Sequence, residues 1–364
     1  MEELGKVGRE FFDEVIFPRL GADRSDVAFG PRHGADFGVV SVGDRALALA
    51  TDPVFVLTTL GLERAAWYGF HIVVSDVALS GLAPTHLSID VNLPPSATRE
   101  EFETIWTVFD EEARDLGVSI VTGHTGRYEG AAFPTIGGAT AMAVGDPDDL
   151  VLPSGASPGD RVVVTKGPAV EATGVLAVQF GDHLGLPPAT LAAARDRFEE
   201  MSPVEDALTA SAAGPVTAMH DATERGVEGA LHELAHAGAV ELAVERDRFP
   251  VGPGVREVCD VFDIDPWTAS SEGTVIMTVR PDGVDDVLAA LDREGIRAAD
   301  VGEARDGDGV VVDGGDKRSR PRPVLARLRT GHRALGHRRL TAYFTEIRYI
   351  RGVGFDAPQS AKLS

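Results

Sequence analysis

Strand-like and helix-like segments alternate through both halves of this chain, and a Pro-, Gly-, Ser- and Asp-rich stretch, DPDDLVLPSGASPGD (146–160), separates the halves. That alternation predicts an α+β fold with α/β-type order in each half. Leu4, Val7, Phe11, Val15 and Ile16 recur at helical spacing and predict an amphipathic helix over residues 1–20. VVSVGDRALALATD reads as two short strands joined by a Gly-Asp turn. Residues 63–80 read as an apolar helix, and THLSIDVNLP as a strand stopped by Pro94 and Pro95. Thr98 followed by Glu101 is a capping-box pattern that opens a helix to Leu116. VSIVTGHTGRYEG predicts a strand running into a glycine loop, and TIGGATAMAVGD another strand. In the second half, RVVVTKGP and GTVIMTVRP read as strands, and EATGVLAVQF, ERGVEGALHELAHAG and DGVDDVLAALDREG as helices. AADVGEARDGDGVVVD reads as a closing hairpin.

A length of 364 residues suits two domains. We place them at 1–152 and 158–316, with an extension over 317–364. Hydrophobic residues make up 43% of the chain, enough for ordinary cores. No apolar run approaches the ~20 residues of a membrane helix. The acidic N-terminus lacks a signal-peptide apolar stretch, so the expected location is the cytoplasm. The single cysteine, Cys259, excludes an internal disulfide and a Cys-rich zinc site, and its apolar surroundings suit a buried core residue. A net charge of −23 argues against nucleic-acid binding over the whole surface. Acids spread along the body suit a halophilic, high-salt cytosol better than an ordinary acidic enzyme. Residues 317–364 reverse the balance, with 12 Lys and Arg against two acids. They read as a nucleic-acid- or partner-binding arm, as an extension without a role, or as sequence foreign to the domain.

Four carboxylates stand where burial makes an acid costly. Asp52 ends the apolar run ALALATD, and Asp76 sits inside IVVSDVALSG. Asp36 lies in the loop GADFG before a strand, and Asp221 ends a short strand. A buried carboxylate persists when it is paired, hydrogen-bonded or metal-bound, and basic residues are scarce around all four. Mg²⁺ takes such oxygens and bridges them to phosphates. A helix cap or turn explains any one of the four equally well, Asp221 above all. VTGHTG (121–126) and VTKGPAVEATG (164–174) are glycine-containing segments that follow strands, the second leading into a helix, with Lys166 as a point charge. Neither is a Walker-type loop. His232–His236 spells H-E-L-A-H, the zinc-hydrolase pattern with Glu233 as base. An amphipathic helix with histidines near its C-terminal end is the simpler alternative.

The ordered set GADFGVV, ATDPVF, VVSDVALSGLAP, TGHTG, TKGPAVEATGVLA, HDATERGVEGALHELA, SSEGTVIMTV and VGEA spans roughly residues 1–315. It resembles the PurM-like superfamily of aminoimidazole-ribonucleotide synthetase, thiamine-monophosphate kinase, selenophosphate synthetase and HypE, and most of all the HypE-like branch. The resemblance implies a two-domain fold. Its N-terminal domain pairs with a second copy in a dimeric, β-barrel-like interface, and its C-terminal domain is an α/β sandwich. It implies Mg-ATP as cofactor and activation of an amide, carbonyl or phosphate oxygen on a small molecule or protein amide. It implies Asp36, Asp52, Asp76 and Asp221 as metal ligands. Gly123, Thr125, Lys166, Thr223 and Glu224 join Asp36, Asp52 and Asp76 around the nucleotide, and Asp221 and His124 are placed at the reacting centre. It also absorbs H-E-L-A-H into the family's own helix. Three positions depart from the pattern: Ala35 precedes Asp36 in place of a second acid, His124 replaces the Asp of Gly-Asp-Thr, and Arg225 stands where glycine is usual. The chain ends in Lys-Leu-Ser, so the HypE reaction on a C-terminal cysteine is not expected.

Overall fold

A computed structural model describes residues 7–32, 34–223 and 225–313. It opens on the helical turn α1 (Arg9–Phe11), continued by a π-turn over Phe12–Ile16 and a 3-10 turn over Phe17–Arg19. None of these residues is buried, so the apolar stripe expected near the N-terminus meets no core among the described residues. Leu4 and the basic extension 317–364 lie outside the described residues.

The first half builds a sheet from β1 (Val27–Phe29), β2 (Gly38–Val42), β3 (Arg45–Phe55), β4 (His86–Leu93), β5 (Ser119–Arg127) and β6 (Thr135–Gly145). Their order is β1-β2-β3-β6-β4-β5. Only β4 and β5 run parallel, because α3 (Arg99–Asp115) crosses over between them. Thr98 and Glu101 form the capping box read in the sequence. α2 (Leu62–Ala78) packs on β3, whose alternate residues Ala46, Ala48 and Ala50 are buried. Gly69 permits the approach, since a Cβ there would meet the Phe55 carbonyl oxygen at 2.4 Å. The Gly-His-Thr-Gly segment, read as a loop, belongs instead to β5, an edge strand. The sheet stays open, with β1 and β5 as separate edges, so the barrel-like arrangement does not close within one chain.

The second half adds β7 (Arg161–Thr165), α4 (Val170–Phe180), α5 (Pro188–Asp196), α6 (Val204–Ala213), β8 (Val216–Asp221), α7 (Gly226–Gly238), β9 (Glu241–Val244), α8 (Val255–Val261), β10 (Val275–Val279), α9 (Val284–Arg293), β11 (Ala298–Arg305) and β12 (Gly309–Val312). Its sheet order is β12-β9-β11-β7-β10-β8. The expected final hairpin does not form. β9, four residues that sequence reading passed over, inserts between β11 and β12 and pairs with both.

Strand periodicity explains the layers. Val162, Val164 and Ile276 join the core of α7, whereas Val163, Val275, Met277 and Val279 join that of α6 and α9. This last core is continuous with that of α2 and the first sheet. The ends of β3, α2 and β8 therefore meet across one packed junction. Among the described residues no helix is long and apolar enough to cross a membrane.

Candidate functional site

α2 is buried on nearly all sides, the pattern of a helix enclosed by protein. It brings polar groups of the first half against acids of the second. The Tyr68 hydroxyl donates to Glu171 Oε1 at 2.5 Å, at the start of α4. Glu171 Oε2 accepts from the Ser270 hydroxyl and, at 3.3 Å, from the Glu272 backbone N–H. Glu272 sits just before β10 and is 6% exposed. Burial first, then the charges of Asp221, Glu171 and Asp52, hold its carboxyl well above the usual range, against a hydrogen bond with Ser75 of α2. Asp76 follows Ser75 on α2 and is 9% exposed. Asp52 lies on the buried face of β3, in register with Ala139 of β6. Asp221, 1% exposed, ends β8, and neither of its carboxylate oxygens has a hydrogen-bond partner among the described residues.

On the α7 side of β8 stands His220. Its Nε2 lies 3.3 Å from both Asp36 Oδ2 and Glu233 Oε2, and its Nδ1 lies 3.5 Å from Asp221 Oδ1. Burial works against the charged ring, but the side chain of Asp221 and the charges of Asp36 and Glu233 prevail and raise its pKa to about 10. Donor atoms of Asp36, His220 and Asp221 all lie within 4.8 Å of one another. Hard carboxylate oxygens gathered from separate elements, in excess over nearby cations, are a donor set for a divalent ion.

The junction gathers Asp36, Asp52 and Asp221, with Asp76 beside the Ser75 that meets Glu272. Four other sequence candidates go elsewhere. Gly123, His124 and Thr125 lie on β5; Asp52, Ala139, Ile89 and Gly123 form one row across the sheet, three strand spacings or about 14 Å long. The exposed His124 Nε2 is 2.6 Å from the Tyr128 hydroxyl. Lys166 is buried, its Nζ 2.7 Å from Asp206 Oδ2 and donating to the Ser202 carbonyl at 2.8 Å. The ammonium expected to serve a phosphate is committed to this ion pair. Thr223 follows β8 and is half-buried, and Glu224 lies outside the described residues.

Residues 34–147 match the AIR synthase related protein, N-terminal domain, and residues 157–315 match the C-terminal domain of the same name. The thiamine-monophosphate kinase of Halobacterium salinarum is 30% identical over 292 residues, covering 78% of this chain and 94% of the kinase. The chain belongs to the AIR synthase related family. Carbamoyl dehydratase HypE of Escherichia coli is 28% identical over 283 residues, covering 76% of this chain and 81% of HypE. The structure of a hydrogenase maturation protein HypE in complex with ATP shares the fold, with TM-score 0.56 at 22% identity, over 83% of this chain and 88% of that one.

In this AIR synthase related chain, sequence reasoning missed Glu171 and Glu272. The signal was present: each is an acid embedded in small or apolar sequence, EATG and SSEGTV, a weaker form of the mark that singled out Asp52 and Asp76. Glu233 was noticed only as a zinc-hydrolase base. Glu272 makes a pH prediction. A carboxyl whose folded pKa is raised adds stability that is fully present below its unfolded pKa and lost as pH rises through the folded value. Glu272→Gln removes that loss. In metal-free protein the variant's unfolding midpoint should gain on the parent's as pH rises above the ordinary carboxyl value of 4.5. Thermal melts at a series of pH values check it, and a pH-independent difference rejects it.

Proposed function

We propose that this chain is an ATP-dependent phosphoryl-transfer enzyme that activates an amide, carbonyl or phosphate oxygen. Asp36, Asp52, Asp76 and Asp221 hold the Mg²⁺ of Mg-ATP, with Asp221 nearest the reacting phosphoryl group and Thr223 and Glu224 assigned to the nucleotide. The observation that carries this reading is the surplus of buried carboxylate at the junction. Asp221 oxygens lack hydrogen-bond partners among the described residues, and Glu272 is forced toward its neutral form. A divalent cation fits such a donor set, and when bound it neutralises charge on the transferring phosphoryl group. The protein's own part is to position the phosphates and exclude water. The junction between residues 152 and 158 is the boundary we assign between a nucleotide-binding half and a covering half.

His124, on the far edge of the sheet, reaches a nucleotide only if a second copy presents it. Leu47, Leu49, Met142 and Val144 lie on the sheet face away from α2, incompletely buried, and suit a homodimer built across that face. The acidic body suits work in concentrated salt.

ADP release from ATP with Mg²⁺, and its loss in EDTA, tests the enzyme reading on the full chain. Melting in low and molar salt on the same samples tests the salt reading. A small-molecule kinase acting like thiamine-monophosphate kinase is the second reading, favoured by 30% identity across 94% of that relative. A nucleotide-binding maturation partner without turnover is the third, favoured by His124 in place of an acid. ATP binding with no ADP release would select it.

A further inference from the structure

Asp36 comes from a loop of the first half, and its side chain must be held at a junction built largely by the second. Phe37 anchors one side of that loop. It is 5% exposed, and its ring centroid lies 5.9 Å from that of Phe29. Gly34 seats the other side on α7. Its φ is +79°, and a Cβ there would meet the Glu233 carbonyl oxygen at 3.2 Å and Glu233 Cβ at 3.7 Å. The loop therefore rests on the helical turn that carries Glu233.

The side chains repeat that contact through His220, at the end of β8. Its Nε2 lies 3.3 Å from Asp36 Oδ2 and 3.3 Å from Glu233 Oε2. Its Nδ1 donates to the backbone carbonyl oxygen of Asp221 at 2.7 Å, which holds the ring from behind. The ring is 3% exposed, and a pKa of about 10 keeps it charged at neutral pH. A buried charge persists only with partners, and this one has a carboxylate from each half of the chain. Asp36 belongs to the cation site of the reading above; Glu233 does not. Glu233 is 32% exposed at its side chain, yet its carboxylate turns inward to the ring.

We propose that Glu233 is a positioning residue of the nucleotide site, acting through the His220 ring to hold Asp36 toward the cation of Mg-ATP. The inference rests on the reading of Asp36 as a ligand of that cation. Carboxylates that bind a metal are themselves oriented by partners behind them, and losing such a partner costs about 10–100-fold in metal affinity. Glu233 of H-E-L-A-H thus has a task that involves neither His232 nor His236.

The test is ATP binding by calorimetry across a Mg²⁺ series on the full chain at one pH. Glu233→Gln should raise the Mg²⁺ concentration needed for half-maximal binding by about tenfold. His232→Ala/His236→Ala should leave it unchanged. The deciding measurement is a double-mutant cycle with Asp36→Asn. Once Asp36 has lost its charge, adding Glu233→Gln should cost nothing more, because Glu233 acts only through Asp36. A general electrostatic pull on Mg²⁺ would persist in that background. Parent-like Mg²⁺ dependence in Glu233→Gln, with or without a lower melting temperature, would overturn the proposal, and so would an undiminished loss on top of Asp36→Asn. Failure of the underlying reading looks different: Asp36→Asn alone would then show parent-like Mg²⁺ dependence, and the proposal would fall with it.

Discussion

Asp221→Asn is expected to weaken Mg-ATP binding by about a hundredfold or more, and to relax Glu272 at the same time. Asp221 is 1% exposed, and neither carboxylate oxygen has a hydrogen-bond partner among the described residues. An amide there keeps the shape but removes the negative charge that a cation needs. Asp221 is also the largest charge acting on Glu272, after burial itself. The pH-dependent gain from Glu272→Gln should therefore shrink when it is made on top of Asp221→Asn, a coupling that a double-mutant cycle reads directly. Calorimetric titration of Mg-ATP checks the first effect and melting across pH the second. Undiminished Mg²⁺-dependent binding by Asp221→Asn would remove Asp221 from the metal site.

Lys166→Met is expected to cost about 3–5 kcal/mol of folding stability, because it leaves Asp206 as a buried charge without its partner. Asp206 is 1% exposed, and burial holds its carboxyl above the usual range even beside Lys166. The ammonium also satisfies the Ser202 carbonyl. Replacing both charges, as Lys166→Met with Asp206→Leu, should recover most of the loss, since an apolar pair of similar volume avoids both desolvation penalties. Chemical denaturation midpoints of parent, single and double variants check this. A large drop in nucleotide affinity with unchanged stability would instead return Lys166 to the phosphates.

The sequence marked Asp52 and Asp76 because burial was written in their immediate neighbours. An acid inside ALALATD or IVVSDVALSG has no local route to solvent. Glu171 and Glu272 carry a similar but weaker mark, since EATG and SSEGTV set each acid among Ser, Thr and Gly as well as apolar residues. Helix α3 was legible from its capping box, a purely local signal. β9 was not, because four residues gain strand structure only from the partners that flank them.

Residue order alone carried the α+β alternation, the family and several of the acids, all of which depend on near neighbours or on a motif order that can be read in one dimension. Long-range packing fixed the rest. Strand order carried Gly123 and His124 three strands away from Asp52, and a buried aspartate on α6 claimed Lys166. The close of β8 beside α7 set His220 between Asp36 and Glu233. These outcomes turn on which distant segments share a sheet or a packed junction, and no local spacing encodes that.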